Sequence, residues 1–172
     1  GVVLLDEQTE LTSDMARALF KKGIALQKQG KLAEAIVSYG ESQDLFGWKI
    51  QQGQVGLMPE LATTLMNKGI ALQKQGQPAE AISSYDKSLE IFERMQEMTE
   101  EEIGELTEEE IEEIEEMAPN FTRICAMTYI NKGIALTNQG QLTKAIECYD
   151  QSLSVYEWLQ QQEGQTELAP EL

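Results

Sequence analysis

KKGIALQKQGKLAEAIVSYGESQDLF, from Lys21 to Phe46, decides the fold because the chain contains it three times. NKGIALQKQGQPAEAISSYDKSLEIF runs from Asn67 to Phe92 and NKGIALTNQGQLTKAIECYDQSLSVY from Asn131 to Tyr156, and the three align without gaps. The first two agree at 17 of 26 places and the last two at 15 of 26. These are duplications of one unit, which points to a repeat architecture before any other feature is weighed.

Within each copy the spacing is helical. Leu65, Met66, Gly69, Ile70 and Leu72 follow the i, i+3, i+4, i+7 rule that lays an apolar stripe along one helix face. Gly76 then ends the helix, since glycine takes the left-handed conformation at a helix C-terminus, and Pro78 suits the first turn of the next helix. Ala81, Ile82, Tyr85, Leu89 and Phe92 repeat the pattern, so each unit is a helical hairpin. Gly23, Gly69 and Gly133 on the first helix and Ala35, Ala81 and Ala145 on the second predict close approach of the two backbones. A glycine inside a helix costs about 1 kcal/mol against alanine, so its appearance at one place in three copies indicates a packing need. In the first copy Gly40 and Gly47 replace Asp86 and Glu93, which predicts that its second helix is the weakest.

Gly23 and Gly69 are 46 residues apart, whereas Gly69 and Gly133 are 64 apart. The segment GQVGLMPEL ending at Leu61 recurs as GQTELAPEL at Leu172, and QTEL occurs at 8–11. The unit is therefore about 46 residues, with a second helix reaching past Trp48 and Trp158 and a short linker. The expected divisions are a first repeat at about 12–50, a second at 58–96, an acidic insert at 97–117 and a third repeat at 121–160. Residues 164–172 read as the start of a further repeat, so the chain is expected to belong to a longer array.

A chain of 172 residues fits one domain that buries roughly 70% of its unfolded surface. No apolar run approaches the roughly 20 residues that span a bilayer, and GVVLL lacks the cationic flank of a signal peptide. With Cys125 and Cys148 offering neither a disulfide framework nor metal-ligand spacing, a cytoplasmic location is expected. The chain has no histidine to serve as base for either thiol, and no phosphate loop, so no enzyme activity and no cofactor is expected.

The net charge of −17 argues against partners such as nucleic acid or anionic lipid, which need clustered Lys and Arg. Between Arg94 and Arg123 there is no base but there are twelve glutamates, leaving 18 acids against 13 bases elsewhere. Glu101, Glu102, Glu105, Glu108, Glu109, Glu112, Glu113 and Glu116 form the expected acidic surface. Thr99 with Glu102 and Thr107 with Glu110 fit the capping box, predicting two short helices that bury Ile103, Leu106, Ile111, Ile114 and Met117. A metal site is not expected, because no calcium-loop pattern is present. The insert is expected to project from the array, either as a solvated hairpin or as a docking surface for a basic partner.

The chain resembles the tetratricopeptide repeat family. The family pattern falls on Leu19, Gly23, Leu26, Gly30, Ala35, Tyr39 and Ser42 in the first copy. In the second it falls on Leu65, Gly69, Leu72, Gly76, Ala81, Tyr85 and Ser88, and in the third on Tyr129, Gly133, Leu136, Gly140, Ala145, Tyr149 and Ser152. The family unit is 34 residues, and the longer unit here resembles arrays of large bacterial, often cyanobacterial, proteins. The resemblance implies an all-α, right-handed α-solenoid of three helical hairpins with an acidic helical insertion. It also implies a groove lined by the first helices that receives a protein or peptide. Carried over, the groove residues are Phe20, Ile24, Gln27 and Lys28; Met66, Ile70, Gln73 and Lys74; and Ile130, Ile134, Thr137 and Asn138. Members that clamp a terminal carboxylate carry Asn directly after the first glycine, but here that place holds Ile24, Ile70 and Ile134. Lys22, Lys68 and Lys132 offer a cationic row, with a solvated edge as the simpler account. The alternatives to a binding scaffold are a structural spacer or oligomerisation module, self-associating through its open repeat ends, and an acidic decoy for a nucleic-acid-binding protein.

Overall fold

The three turn glycines take the conformation that the helix ends require. In the computed structural model, which describes residues 2–167, φ is +77° at Gly30, +81° at Gly76 and +74° at Gly140. The amide after each glycine donates to the carbonyl five residues back (Lys31 to Leu26, Gln77 to Leu72, Gln141 to Leu136), and the glycine amide donates to the carbonyl three residues back. This double bond closes the first helix of each unit and reverses the chain. The resulting helices are α1 (Val2–Lys28), α2 (Leu32–Gln51), α3 (Met58–Lys74), α4 (Pro78–Gln96), α5 (Glu100–Gly104), α6 (Glu108–Asn138) and α7 (Leu142–Glu167). A single 3-10 turn, Val55–Leu57, joins α2 to α3, and there is no strand among the described residues.

The pairs α1–α2, α3–α4 and α6–α7 form three hairpins, with α2 packed on α3 and α4 on α6. This is an all-α helical solenoid, each unit touching its neighbours.

What ties each hairpin is more specific than small residues on both sides. A Cβ added to Gly23 would lie 2.5 Å from a ring carbon of Tyr39; at Gly69 the distance is 2.4 Å to Tyr85, and at Gly133 it is 2.6 Å to Tyr149. The tyrosine ring of the second helix therefore lies against the bare backbone of the first. Ser42, Ser88 and Ser152 complete the seam by donating to the carbonyls of Ala16, Ala62 and Ala126 at 2.7–2.9 Å. Ser38 and Ser84 do the same to Leu19 and Leu65, and Cys148 takes that place in the third unit.

Between units the repeated isoleucine of the second helix reaches forward. Ile36 packs with Ala71, and Ile82 packs with Ala135 and Leu136. Lys68 Nζ donates to Gln43 at 3.0 Å and Lys132 Nζ pairs with Asp86 at 2.6 Å. The lysines at these two places tie neighbouring units together and do not form a free cationic row.

The acidic insert departs from expectation. Its first capping box opens α5 and its second opens α6, with hydroxyl and carboxylate reciprocally bonded at both Thr99 and Thr107. But the second helix is not short: it continues through Pro119 to become the first helix of the third hairpin. Pro119 is exposed, so water can meet the carbonyl that its missing N–H leaves unpaired. The insert also does not simply project, since α6 packs against the turn Val55–Leu57 and places Phe121 on Phe92 with ring centroids 5.1 Å apart. At the other end α7 runs as helix through Gly164 to Glu167; the start of a further repeat expected at 164–172 lies largely outside the described residues.

Candidate binding groove

The first helices α1, α3 and α6 lie side by side, with α3 touching both others. By repeat register Met58, the first residue of α3, corresponds to Thr12 and Thr122. Yet α1 begins at Val2 and α6 at Glu108. The two outer helices therefore overhang the central one, leaving a trough whose floor is the turn Val55–Leu57 and the opening of α3.

One part of the trough is a cavity of about 300 Å³ between Arg17, Phe20 and Lys21 of α1, Pro59, Glu60 and Thr63 of α3, and Met117, Asn120, Phe121 and Ile124 of α6. Phe46 of α2 closes its back. It adjoins a second cavity of about 350 Å³, lined by Glu10, Ser13, Gln54, Gly56, Leu57, Glu110 and Glu113, and Arg17 belongs to both. The trough thus has an apolar end and an acidic end. At their junction the Arg17 guanidinium holds the Glu60 carboxylate with Nε and Nη2 at 3.0–3.2 Å and reaches Asp14 at 3.4 Å. These bonds, Glu60 foremost, raise the Arg17 pKa. A two-pronged bond of this kind fixes the orientation of both side chains.

Of the twelve groove residues expected, only Phe20 lines this cavity, where its ring also meets Tyr39 at 6.0 Å. Met66 is a correction. It is buried in the core with Leu72, Ala81, Tyr85 and Ala135, because α6 crosses its helix and presses Ile124 onto that cluster. Ile24 and Ile70 are half-buried against the inter-unit clusters. Gln27 and Gln73 accept the hydroxyl hydrogens of Tyr39 and Tyr85 at 2.9 Å, and Thr137 donates to the Gly133 carbonyl. The two glutamines thus serve the hairpin seam, and Thr137 bonds within its own helix. Burial drives the Tyr39 hydroxyl up to about 12 and raises Tyr85 further. Ile130 is half-buried, while Lys28, Lys74, Ile134 and Asn138 stand exposed toward the far ends of their helices.

Among the expected acidic residues, Glu113 faces the trough. Glu102 is drawn down to about 2, first by its bond from Arg94 and then by the Thr99 amide. Glu101, Glu105, Glu108, Glu109, Glu112 and Glu116 are exposed. Arg17, Lys21, Glu110, Asn120 and Phe121 line the two cavities and were not among the expected groove or acidic residues. An available signal was the apolar spacing Ile111, Ile114, Met117, Phe121, Ile124, which runs unbroken and places all five on one helix.

Both cysteines are buried, and burial pushes the Cys125 thiol up to about 12 and raises Cys148. No group of three or more metal-binding side chains exists among the described residues, and no described helix is long and apolar enough to cross a membrane.

Three family models described as tetratricopeptide repeat match the chain at residues 17–46, 61–95 and 126–157, together more than half of it. No curated protein matches it.

Proposed function

Since the chain belongs to the tetratricopeptide repeat family, whose repeats generally mediate contacts between proteins, we propose that it is a non-enzymatic binding module holding a partner segment in the trough between α1 and α6. The observation that carries this reading is the overhang of α1 and α6 beyond α3, which leaves apolar surface open beside a fixed Arg17–Glu60 pair. The segment that fits has a bulky apolar residue for the pocket of Phe20, Met117 and Phe121, and a Lys or Arg beside it for Glu10, Glu110 and Glu113. The apolar anchor supplies affinity and the basic residue sets direction along the trough.

The test is selection of random peptides on the whole chain, followed by titration of enriched peptides against variants. Enriched sequences should pair an apolar with a basic residue. Met117→Glu should weaken them tenfold or more, and Glu113→Lys should weaken them in a manner that fades as salt rises, because exposed charges are screened beyond about 8 Å at physiological ionic strength. Peptides that bind Met117→Glu as tightly as the parent would place the site elsewhere.

A further inference from the structure

The two seams between units differ at one equivalent point. At the second seam Lys132 of α6 pairs with Asp86 of α4 at 2.6 Å. By repeat register the same places at the first seam are Lys68 of α3 and Gly40 of α2. A Cβ built on Gly40 would lie 3.8 Å from Lys68 Nζ, so the ammonium faces the place of a carboxylate that α4 supplies and α2 does not. Of its three N–H groups, one is donated to the neutral Gln43 at 3.0 Å. Burial first, and then Lys87, lower the Lys68 pKa, while Asp44 raises it. Among the described residues two ammoniums thus meet one carboxylate here, one negative charge short of balance.

Gln43 and Lys87 also line a cavity of about 510 Å³ between α2 and α4. Its floor is Leu65, Leu61 and Met58 of α3, which step away from Lys68 one turn at a time. From Lys68 to Met58 the run is about 15 Å at 1.5 Å per residue. Trp48 and Ile91 stand on the two walls. Gly47 lines the cavity where the other units carry Glu93 and Glu157, and a Cβ on it would meet nothing within 4 Å. The far end offers an anion little, because Arg94 there is already held by Glu102 of the acidic insert. The space therefore has a cationic head at Lys68 and an apolar body, and its volume falls among those of small-ligand sites, about 300–1,000 Å³.

We propose that this cavity binds a small amphipathic monocarboxylate, its carboxylate seated over Gly40 against Lys68 as Asp86 seats against Lys132, and its apolar chain lying along Leu65, Leu61 and Met58 beside Trp48. The cavity shares no lining residue with the trough, so the two sites stand or fall separately. A single carboxylate suits the missing charge, and two lysines present point charges instead of the planar fork that grips a phosphate.

The experiment is a titration of the whole chain carrying Trp158→Phe, so that Trp48 alone fluoresces, with decanoate below its micelle-forming concentration, with acetate and with decanol. Decanoate should saturate at one per chain with the helical spectrum unchanged, while acetate, which lacks the chain, and decanol, which lacks the charge, should each bind about tenfold more weakly or worse. Gly40→Asp puts the missing carboxylate on the protein and should weaken decanoate by about tenfold; the neutral Gly40→Asn, of the same size, should weaken it less. Lys68→Met should weaken decanoate and spare decanol, whereas Gly47→Glu should obstruct both. The three glycine variants replace a poor helix former with a better one, and the helical spectrum reports that each is folded. No saturable response, decanoate bound no more tightly than decanol, or equal losses in Gly40→Asp and Gly40→Asn would each overturn the proposal.

Discussion

Replacing Gly69 with alanine sets two effects of opposite sign against each other. Alanine in a helix interior is favoured over glycine by about 1 kcal/mol. Against this, the new methyl would lie 2.4 Å and 2.7 Å from two ring carbons of Tyr85, closer than carbon atoms approach. The ring cannot swing clear at little cost, because Tyr85 is fully buried and its hydroxyl is bonded to Gln73 at 2.9 Å. Forced repacking of a filled core costs about 1–3 kcal/mol, and a lost hydrogen bond adds about 1 kcal/mol. The clash should win, with a net loss of about 2 kcal/mol. For a chain of this size that lowers the melting temperature by about 4–8 °C. Gly47→Ala is the control, since nothing lies within 4 Å of a Cβ there and the helix preference acts alone. It should raise stability by up to about 1 kcal/mol. Chemical denaturation of both variants decides the matter. A Gly69→Ala protein as stable as the parent would show that the tyrosine ring is not what excludes a side chain.

Lys49 sits fully inside the first hairpin, 1% exposed, its ammonium without a hydrogen-bond partner among the described residues and 6.0 Å from the Trp48 ring centre. Lys49→Met should stabilise by about 1–3 kcal/mol in thermal melts. Burial lowers the folded-state pKa of Lys49 below 10.5, so the unfolded chain binds more protons between the two values. The advantage of the variant should therefore narrow as pH rises toward that value. Glu102, held near 2 against an ordinary 4.5, contributes stability above the unfolded value that is lost as pH falls toward 2. Carboxyl NMR should show its midpoint moving up in Arg94→Leu. Cys125 and Cys148, both buried with raised pKa values, should react with a thiol reagent only at the rate of unfolding.

The hairpins were legible because each rests on residues with a narrow physical role: a glycine that must turn left-handed, and a tyrosine, a serine and an alanine at fixed offsets. The reason for Gly23, Gly69 and Gly133 was only half legible. Small residues on both helices are explained equally well by close backbones or by a ring lying on one of them, and only coordinates separate the two. The family groove positions and the trough differ for a related reason. Family positions such as Met66 and Ile70 assume equal first helices, whereas α6 begins well before Thr122 and carries Met117 and Phe121 into the cavity beside α1, while Ile124 packs on the cluster that holds Met66. Periodicity at Ile111, Ile114 and Met117 was visible, but Pro119 masked its continuity with Phe121.

The departures of the first unit share one physical consequence. Gly40, Gly47 and Lys49 all lie on α2, where the second unit has Asp86, Glu93 and Met95. Gly40 removes the carboxylate that ties Lys132 to α4 elsewhere, so Lys68 bonds the neutral Gln43 instead and its pKa is lowered, chiefly by burial. Gly47 forfeits helix preference, and Lys49 places an ammonium, unpaired among the described residues, where the other units hold Met95 and Leu159. Three costs on one helix should make α2 open more readily than α4, its counterpart in the second unit. Because α2 supplies Phe46 to the back of the apolar cavity, partner binding at the trough should close α2 as well as occupy Phe20 and Met117. Amide exchange in α2 should then slow on binding more than in α4, which contributes no residue to that cavity or to the acidic one beside it.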